Sequence, residues 1–401
     1  MESESADILI SGGGVAGLTA AAAFGAAGFD VVCTDPMPPV TDALSEGADL
    51  RTTAFLQPAQ DFLNRAGVWP ILAPQATALA TMRIVDAGGE EPVARVSRDF
   101  NSSDITDGPF GYNLPNWLIR KALVERIGQL QNVSFRPGTG TKMLVARTKE
   151  ALATLSGGSR LRARMVIAAD GRDSPTRKAL GIGARRMDFG QRALTFAVTH
   201  ETSHDNVSTE IHRTGGPFTL VPLPDHEERP CSAVVWMETE QNAQALLALG
   251  DAEFEAAATA RSAGLYGILK LASRRTSWPI ISQLADRIDG PRTALVAEAA
   301  HVVPPIGAQG LNMSLTDLSC LLDLATADPD NLGDEAMLSA YAKQRYGDVR
   351  RRVLGVSALN RASMASPTAV RDARALGIKV LHDVSPIRTS LMKLGLGRSS
   401  S

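Results

Sequence analysis

Three glycines and one carboxylate near the amino terminus have the residue types and the spacing for binding phosphate groups. Gly12, Gly14 and Gly17 follow a short apolar run, and Asp35 lies about 20 residues downstream. In this pattern the first glycine allows a tight turn, the second lets the backbone approach a pyrophosphate, and the third lets a helix pack closely on a strand. The acidic residue accepts a hydrogen bond from a ribose hydroxyl. Together the four residues predict an adenine dinucleotide site.

A strand, a helix and a second strand must hold these residues in place. Residues 8–11 have the apolar character of one buried strand, residues 18–27 form an alanine-rich helical pattern, and residues 30–34 predict the second strand. The first N–H groups of the helix, around Val15 and Ala16, then face the phosphates, because the helix dipole favours negative charge there.

The composition is that of an ordinary globular chain that is long enough for two domains. Of the 401 residues, 44% are hydrophobic and 21% are charged, and the formal net charge of -2 gives no reason to expect nucleic acid as a partner. The three cysteines lie far apart, which predicts no metal-ligand or redox pair and suits a reducing cytoplasm. Glycines interrupt the first apolar stretch, so it predicts neither a signal peptide nor a membrane span.

Three polar residues beyond the first motif are candidates for ligand contacts or for local structure. Asp170 ends a second buried-strand pattern, and ligands bind at the carboxyl ends of parallel strands. Arg51 follows the second predicted strand, where its planar guanidinium suits a phosphate, although a surface loop arginine fits the spacing equally well. Asn116 begins the helical pattern of residues 116–130, which predicts a helix cap.

A rigid loop precedes the last long helical pattern. Residues 293–297 predict a short buried strand, two prolines and two glycines follow between residues 304 and 310, and a helix opens at Leu311 and Asn312. The prolines stiffen such a loop, and the helix directs its N–H groups at whatever the loop holds. Between this loop and Asp170, residues 193–236 alternate as strands and two helical patterns follow, which predicts a second domain inserted into the first.

The chain resembles the single-component flavoprotein monooxygenases that share the fold of para-hydroxybenzoate hydroxylase, because three of its motifs occur in the order and approximate spacing of that family. The resemblance is carried by the glycine triplet, by Asp170-Gly171 and by the Pro-Pro-Ile-Gly-Ala-Gln-Gly-Leu-Asn run at 304–312. Within that family, residues 216–223, residues 232–236 and the basic tail are similar to the ubiquinone-biosynthesis hydroxylases of the UbiH and UbiF type.

The resemblance implies an α/β fold: a doubly wound, Rossmann-like FAD-binding domain with an inserted sheet-rich α+β substrate domain and a helical C-terminal tail. The implied FAD-binding domain comprises residues 1–75, 105–184 and 289–350. The implied substrate domain comprises residues 76–104 and 185–288, and residues 351–401 form the helical C-terminal region.

The resemblance also implies FAD as the cofactor and assigns site residues by position. Pro304 falls where its carbonyl meets the substrate phenol. His301 is a candidate general base, but a hydrogen-bonded structural histidine is the more common role beside a strand end. The implied FAD contacts are Gly12, Gly14, Val15, Ala16, Gly17, Asp35, Arg51, Asn116, Asp170, Glu298, Gly307, Gln309, Gly310, Leu311 and Asn312.

The implied reaction uses NADPH or NADH and molecular oxygen to hydroxylate a prenylated phenol or quinol on the way to ubiquinone. One alternative is hydroxylation of a small soluble aromatic compound. Another is a non-catalytic subunit of a quinone-synthesis complex, because Ala297-Glu298 replaces the Gly-Asp pair that the family places at the flavin. The expected location is the cytoplasm, and the tail around residues 376–381 either packs on the protein or touches the inner membrane.

Overall fold

The computed structural model describes residues 4–88, 91, 93–213, 215–364, 382–383, 388–390 and 392. In this part of the chain, two large sheets and one small sheet are accompanied by ten α-helices. The helices are α1 (Val15–Ala26), α2 (Gln57–Arg65), α3 (Trp69–Leu72), α4 (Asn116–Gly128), α5 (Pro175–Ala179), α6 (Glu240–Ala248), α7 (Asp251–Arg261), α8 (Ala297–Ala300), α9 (Gln309–Ala327) and α10 (Glu335–Ser363).

The first sheet has a parallel centre with the strand order β19-β11-β1-β2-β8. Its apolar strands pack on one face against α1, α2, α4 and α9, which together form the main core. On the other face, a smaller core gathers Leu9, Val32 and the alanines of β10. The strands are β1 (Glu4–Ser11), β2 (Val31–Asp35), β8 (Val133–Pro137), β9 (Thr141–Ala146), β10 (Ala151–Leu155), β11 (Arg160–Ala168), β18 (Asp289–Gly290) and β19 (Thr293–Leu295).

The second sheet is mainly antiparallel, with the order β20-β17-β12-β15-β14-β13-β5-β6, and β16 pairs with β12. Its one parallel pair among the described strands, β5 with β13, joins the early excursion of the chain to the later insertion. Leu194 and Phe196 pack on one face against α7 residue Phe254. The strands are β5 (Thr81–Asp86), β6 (Val96–Asn101), β12 (Ala184–Thr199), β13 (Val207–His212), β14 (Pro217–His226), β15 (Arg229–Thr239), β16 (Lys270–Leu271), β17 (Thr276–Ala285) and β20 (His301–Val302).

A third, three-stranded sheet lies between the two large ones, and the sequence did not predict it. It contains β3 (Thr52–Leu56), β4 (Thr77–Leu79) and β7 (Gly111–Pro115), in the order β3-β7-β4. The side-chain amide of Asn113 on β7 donates to the carbonyl of Pro222 on β14 at 2.9 Å, with the Asn113 side chain fully buried. This bond connects the small sheet to the second large sheet.

The predicted α/β fold class is confirmed, but several element boundaries were wrong. Helix α1 begins at Val15 instead of residue 18, because Gly14 has extended backbone angles and already serves as the N-cap. Strand β12 begins at Ala184, earlier than residue 193, because its first residues pair with β17 through backbone hydrogen bonds although arginines make that segment polar. A hydrophobic pattern does not detect such pairing.

The C-terminal region begins with the long helix α10, and its later part is described only in fragments. Of these, the Nε2–H of His382 donates to the carbonyl of Asp99 on β6 at 3.1 Å, and Asp383 pairs with Arg98 at 3.3 Å. The predicted membrane or packing segment at residues 376–381 lies outside the described residues. Among the residues that are described, no helix has both the length and the apolar composition needed to cross a bilayer.

Replacement of Tyr341 by phenylalanine tests how α10 is fastened to the first sheet. The Tyr341 hydroxyl donates to the carbonyl of Leu295 on β19 at 2.9 Å, and the side chain is fully buried. The Tyr341→Phe variant removes that buried hydrogen bond, so we expect the free energy of unfolding in urea to fall by about 1–2 kcal/mol. The matched control is Tyr346→Phe, whose half-buried hydroxyl donates to Ala285 at 3.1 Å and should contribute less. Equal losses of unfolding free energy in the two variants would contradict the larger contribution expected of Tyr341.

Candidate functional site

The glycine loop between β1 and α1 brings helix and strand into direct backbone contact. An added Cβ at Gly17 would overlap the carbonyl oxygen of Gly12, and one at Gly12, whose φ is +110°, would overlap the carbonyl oxygen of Ala169. By contrast, a Cβ at Gly14 would meet no protein atom within 4 Å. Gly12 and Gly17 therefore allow close packing inside the protein, whereas Gly14 borders open space.

The start of α1 fits a phosphate-bearing cofactor. No side chain caps this end of the helix and no acidic residue lies in its first turn, so the N–H groups of Val15, Ala16 and Gly17 remain available to a ligand. Asp35 accepts a hydrogen bond from the N–H of Gly13 at 2.6 Å, which holds its carboxylate beside the loop. The open edge at Gly14 and the uncapped helix together fit the pyrophosphate of FAD.

A second uncapped helix begins at the proline-glycine loop, at Gln309. The two residues before it, Gly307 and Ala308, both have left-handed backbone angles, with φ of +63° and +55°. The side chain of Asn312 holds this turn against β3: it accepts from the N–H of Leu56 at 2.9 Å and donates to the carbonyl of Ala54 at 2.7 Å. At this helix start Gly310 is exposed, Leu311 is half-buried and Asn312 is engaged with the backbone.

Asp49 is the centre of a polar cluster that the sequence reasoning missed. Its carboxylate makes a bidentate ion pair with Arg51 at 2.8 and 2.7 Å, accepts from Asn116 at 3.0 Å and lies 3.6 Å from Arg120. Burial alone raises the pKa of Asp49, but the hydrogen bonds and charges of Arg51, Asn116 and Arg120 lower it below its usual range. The sequence signal for this ion pair was the Asp-Leu-Arg run at 49–51, in which an acid and a base stand two residues apart.

The predicted capping role of Asn116 was wrong. Pro115 is the N-cap of α4, and Asn116 is the first residue of the helix. Its side chain turns away from the helix end, donating to Asp49 and accepting from the Thr53 hydroxyl at 2.8 Å. Asn116 thus orients the Asp49 carboxylate, and through it Arg51.

Arg51 also links the two large parts of the fold. Its guanidinium lies over the ring of Trp278 on β17, 4.3 Å from the centroid. The indole Nε1 of Trp278 is buried and has no hydrogen-bond partner in the described structure. A planar cation on an aromatic face is a favourable arrangement, so Arg51 is held between Asp49 and Trp278 rather than free in solvent.

Asp170 and Glu298 follow neighbouring strands, β11 and β19, but they bind different partners. Asp170 accepts from the Ser174 hydroxyl and from the N–H of Thr176, at 3.0 Å for the latter, and so fixes the start of α5. Glu298 pairs with Arg172 at 3.1 Å and keeps 45% of its side chain exposed. Both carboxylates lie at the carboxyl edge of the first sheet, the edge at which α1 also begins.

His301 is buried and bonded, which favours the structural role over the general base. Its Nε2 lies 2.7 Å from Asp317 on α9, and both side chains are 1% exposed. Asp317 also accepts from Arg345 on α10 at 2.7 Å. Pro304 is buried as well, and its carbonyl accepts from the N–H of Ile306 at 2.8 Å, which leaves its second lone pair for another donor.

Three histidines of the second domain, His200, His204 and His212, bond to neighbouring protein groups, His212 to Glu210 at 2.8 Å. His200 bonds to the Thr202 carbonyl and the Ser232 hydroxyl, and burial lowers its pKa below the usual range. His204 bonds to the Leu223 carbonyl at 3.0 Å. Across the described ranges, no group of three or more His, Cys, Asp or Glu side chains could hold a metal ion.

An apolar wall from the second sheet faces the proline-glycine loop. Ala193, Met237 and Ile280 form a small buried cluster, and Val235 and the loop residue Ile306 pack against it. These side chains lie on the face of the sheet opposite to the core with α7, because side chains alternate along a strand. The loop at the start of α9 therefore packs through Ile306 on an apolar face of the second sheet.

Comparison with known proteins shows the family to which the chain belongs. A family model described as FAD binding domain matches residues 5–354. The chain belongs to this FAD-binding family. It is 32% identical over 398 residues to the ubiquinone hydroxylase UbiL of Rhodospirillum rubrum, covering 98% of this chain and 90% of that protein. It is 24% identical to the 3-demethoxyubiquinol 3-hydroxylase of Escherichia coli, covering 99% of this chain and all of that protein.

Solved structures support the fold. The p-nitrophenol 4-monooxygenase PnpA of Pseudomonas putida superposes with a TM-score of 0.80 over the full length of both chains, at 19% identity. Family, relatives and fold confirm the resemblance to the FAD-dependent monooxygenases, and FAD is the cofactor of this chain. The roles of individual residues toward FAD remain predictions.

A Gly14→Ala variant separates FAD binding from folding in this flavoprotein. The added methyl meets no protein atom within 4 Å but occupies the edge where the pyrophosphate would approach. We expect unfolding of the FAD-free protein to change by less than about 0.5 kcal/mol, because no contact is lost. The dissociation constant for FAD, from flavin fluorescence quenching, should rise on the order of tenfold.

The matched variant is Gly17→Ala, whose methyl group overlaps the Gly12 carbonyl. It should lose about 1–3 kcal/mol of stability as well as FAD affinity, because the helix must shift. If Gly14→Ala bound FAD as the wild type does, the pyrophosphate would not approach at this edge.

Ala297, the first residue of the departure from the family pattern, carries backbone strain. Its φ is +52°, a conformation in which a Cβ is unfavourable. We expect Ala297→Gly to raise the free energy of unfolding by about 0.5–1 kcal/mol. The control is Ala299→Gly in the same short helix, which should lower stability by a similar amount. A destabilised Ala297→Gly variant would show that the methyl group contributes packing that outweighs its strain.

Proposed function

We propose that this FAD-dependent monooxygenase hydroxylates the aromatic ring of a prenylated phenol or quinol in ubiquinone biosynthesis. The observation that carries the proposal is the likeness to the ubiquinone hydroxylase UbiL, which extends over nearly the whole of both chains. A second relative, the ubiquinone hydroxylase UbiM of Neisseria meningitidis, is 27% identical over 84% of this chain and 73% of that protein. NADPH or NADH is the proposed reductant.

The residues around the two uncapped helices would hold FAD. When bound, FAD supplies the redox chemistry, carrying electrons from a reduced nicotinamide to molecular oxygen. The loop at Gly12 and Gly14 with the start of α1 binds the pyrophosphate, and Asp35 takes the adenosine ribose. The start of α9, at Gln309, stabilises negative charge through its N–H groups and dipole.

The wall beneath the loop suits an apolar substrate. Ile306 contacts the cluster of Ala193, Met237 and Ile280, so a ring that reaches the Pro304 carbonyl has apolar side chains on its other side. The Pro304 carbonyl can accept a hydrogen bond from the hydroxyl of a phenol, and this bond would fix the position of the ring. Burial of the ring also excludes water from the reaction.

The side chains of this sheet face favour a neutral substrate over an aromatic acid. Glu210 on β13 pairs in register with Thr219 on β14, and Thr219 pairs with Val235 on β15, a residue of the apolar wall. The Glu210 carboxylate pairs with His212 at 2.8 Å, and both side chains are about nine-tenths buried. This pair offers no cation to a substrate acid, and burying a carboxylate beside the apolar wall of Ala193, Met237 and Ile280 would cost free energy. Arg261, on the opposite side of the strand, donates to backbone carbonyls.

Two alternatives and the cellular setting complete the proposal. Hydroxylation of a small soluble aromatic compound stays the alternative within enzymes, and a non-catalytic subunit of a quinone-synthesis complex is the alternative outside them. We propose a cytoplasmic protein that collects its substrate at the inner membrane surface. Assembly with other ubiquinone-biosynthesis proteins would also help to deliver an apolar substrate to this chain.

The proposal is tested by matched phenols offered to the FAD-loaded protein. We expect a prenylated phenol to accelerate NADPH or NADH oxidation and to gain one oxygen atom, which mass spectrometry with ¹⁸O₂ would trace to dioxygen. The same ring without the prenyl chain should have a KM on the order of tenfold higher or more, because each buried methylene contributes ~0.8 kcal/mol. The ring with an added carboxylate should be the poorest substrate.

The outcomes discriminate between the alternatives. Faster turnover of the carboxylated or unprenylated phenol would select the small-aromatic hydroxylase. A purified chain that neither carries nor takes up FAD would select the non-catalytic subunit. Deletion of the chain in cells, followed by mass spectrometry of quinone lipids, should reveal a prenylated precursor that lacks one ring oxygen, and its oxidation pattern would identify the hydroxylated carbon.

A further inference from the structure

Helix α10 reaches the loop that would face the flavin through Arg352 and Gln309. The Arg352 Nη1 donates to the side-chain oxygen of Gln309 at 2.8 Å. The Gln309 side-chain nitrogen in turn donates to the carbonyl of Gly307 at 2.9 Å, two residues back along the chain. The Gln309 side chain therefore connects Arg352 on α10 to the backbone of the loop.

The Arg352 contact determines which way the Gln309 amide faces. A guanidinium has only donors, so the amide oxygen of Gln309 must face Arg352 and its NH₂ group must face the loop. Without a donor at this position, either orientation of the amide would be allowed. Arg352 thus selects the orientation in which Gln309 can bond to the Gly307 carbonyl.

The loop needs such support because its backbone is strained. Gly307 and Ala308 are consecutive residues with left-handed angles, and Ala308 has a Cβ that disfavours them. No side chain caps the helix that follows. The hydrogen bond from Gln309 to Gly307 closes this turn, and the shape of the turn sets where the first N–H groups of α9 point.

Arg352 is itself held by a chain of ion pairs that returns to the same loop. Its Nε lies 3.1 Å from Asp348, which also accepts from Arg345 at 3.3 Å. Arg345 pairs with Asp317, and Asp317 with His301, each at 2.7 Å. His301 precedes the loop and Asp317 lies in the helix after it, so the chain of ion pairs connects both ends of the loop to α10.

Helix α10 also contacts the substrate-side sheet a few turns further on. The side-chain amide of Asn360 donates to Gln191 on β12 at 2.8 Å, and both side chains are buried. Arg352 and Asn360 therefore anchor one helix both to the loop and to the sheet on which the loop packs. Charged residues inside a packed protein hold their geometry firmly when each has its partner.

We propose that Arg352 is a positioning residue, which fixes the orientation of Gln309 and so the shape of the loop on which the flavin ring would rest. The inference rests on the proposed FAD site at the start of α9. It assigns to α10 the role of setting FAD affinity and the reduction potential of the bound flavin. No group on α10 needs to touch FAD for this effect.

The test measures FAD binding and potential in variants of the full chain. Arg352→Met keeps the aliphatic packing and removes the donor, and we expect the dissociation constant for FAD to rise on the order of tenfold. The midpoint potential of the bound flavin should shift as well, because the N–H groups of α9 no longer point at the ring in a fixed geometry. Arg352→Lys, which keeps a donor, should recover part of both properties.

The control on the same helix is Arg351→Met. Arg351 is 77% exposed and pairs with Asp348 at 3.7 Å without reaching the loop, so its loss should leave FAD affinity and potential unchanged. Urea unfolding of the FAD-free variants separates general destabilisation from loop positioning. A fall in stability equal in Arg352→Met and Arg352→Lys, with FAD binding unchanged in both, would overturn the inference.

A double-mutant cycle with Gln309→Leu identifies the route. If Arg352 acts through Gln309, adding Arg352→Met to Gln309→Leu should change FAD affinity by less than about twofold. Additive losses would overturn the inference, since Arg352 would then act by another path. A wild-type chain that does not bind FAD would refute the proposed function itself, whereas a wild type that binds FAD alongside an unaffected Arg352→Met refutes only the positioning role.

Discussion

The contact between the backbone of Gly17 and the carbonyl of Gly12 is the constraint on which the site depends. Only a residue without a Cβ allows α1 to approach the end of β1 this closely. Because α1 is buried over residues 16–25, its position also determines where the neighbouring helices of the main core pack. The same contact therefore sets the packing of the domain and places an uncapped helix end beside the open edge at Gly14.

The distribution of charge complements those two helix ends. Neither α1 nor α9 has an acidic residue in its first turn, so no side chain of either helix neutralises the positive end of its dipole. The buried carboxylates nearby are engaged elsewhere: Asp49 with two arginines, and Asp317 with His301 and Arg345. A free carboxylate at either place would repel an anionic cofactor. Because these carboxylates are paired, they leave both helix ends able to bind an anionic cofactor.

The sequence predicted the parts of the site that depend on local pattern. The glycine triplet, Asp35 and the loop before α9 follow from strand, turn and helix signals within short windows. The partners of Asn116 and His301 did not follow from such signals. Asn116 bonds to Asp49 across 67 residues and His301 to Asp317 across 16, and no spacing rule connects positions that the fold brings together. The three-stranded sheet was missed because its strands have only 5, 3 and 5 residues, too few to show a periodic pattern.

The departure at Ala297-Glu298 is compatible with cofactor binding for physical reasons. The left-handed angle of Ala297 costs on the order of 1 kcal/mol, which is small beside the binding energy of a tight dinucleotide complex. Glu298 pairs with Arg172, but its carboxylate is nearly half exposed, and such ion pairs contribute little because solvent screens them. The carboxylate can therefore exchange Arg172 for a ligand hydroxyl at little cost. The longer side chain changes the reach of the acid and keeps its chemistry, which argues against an inert subunit.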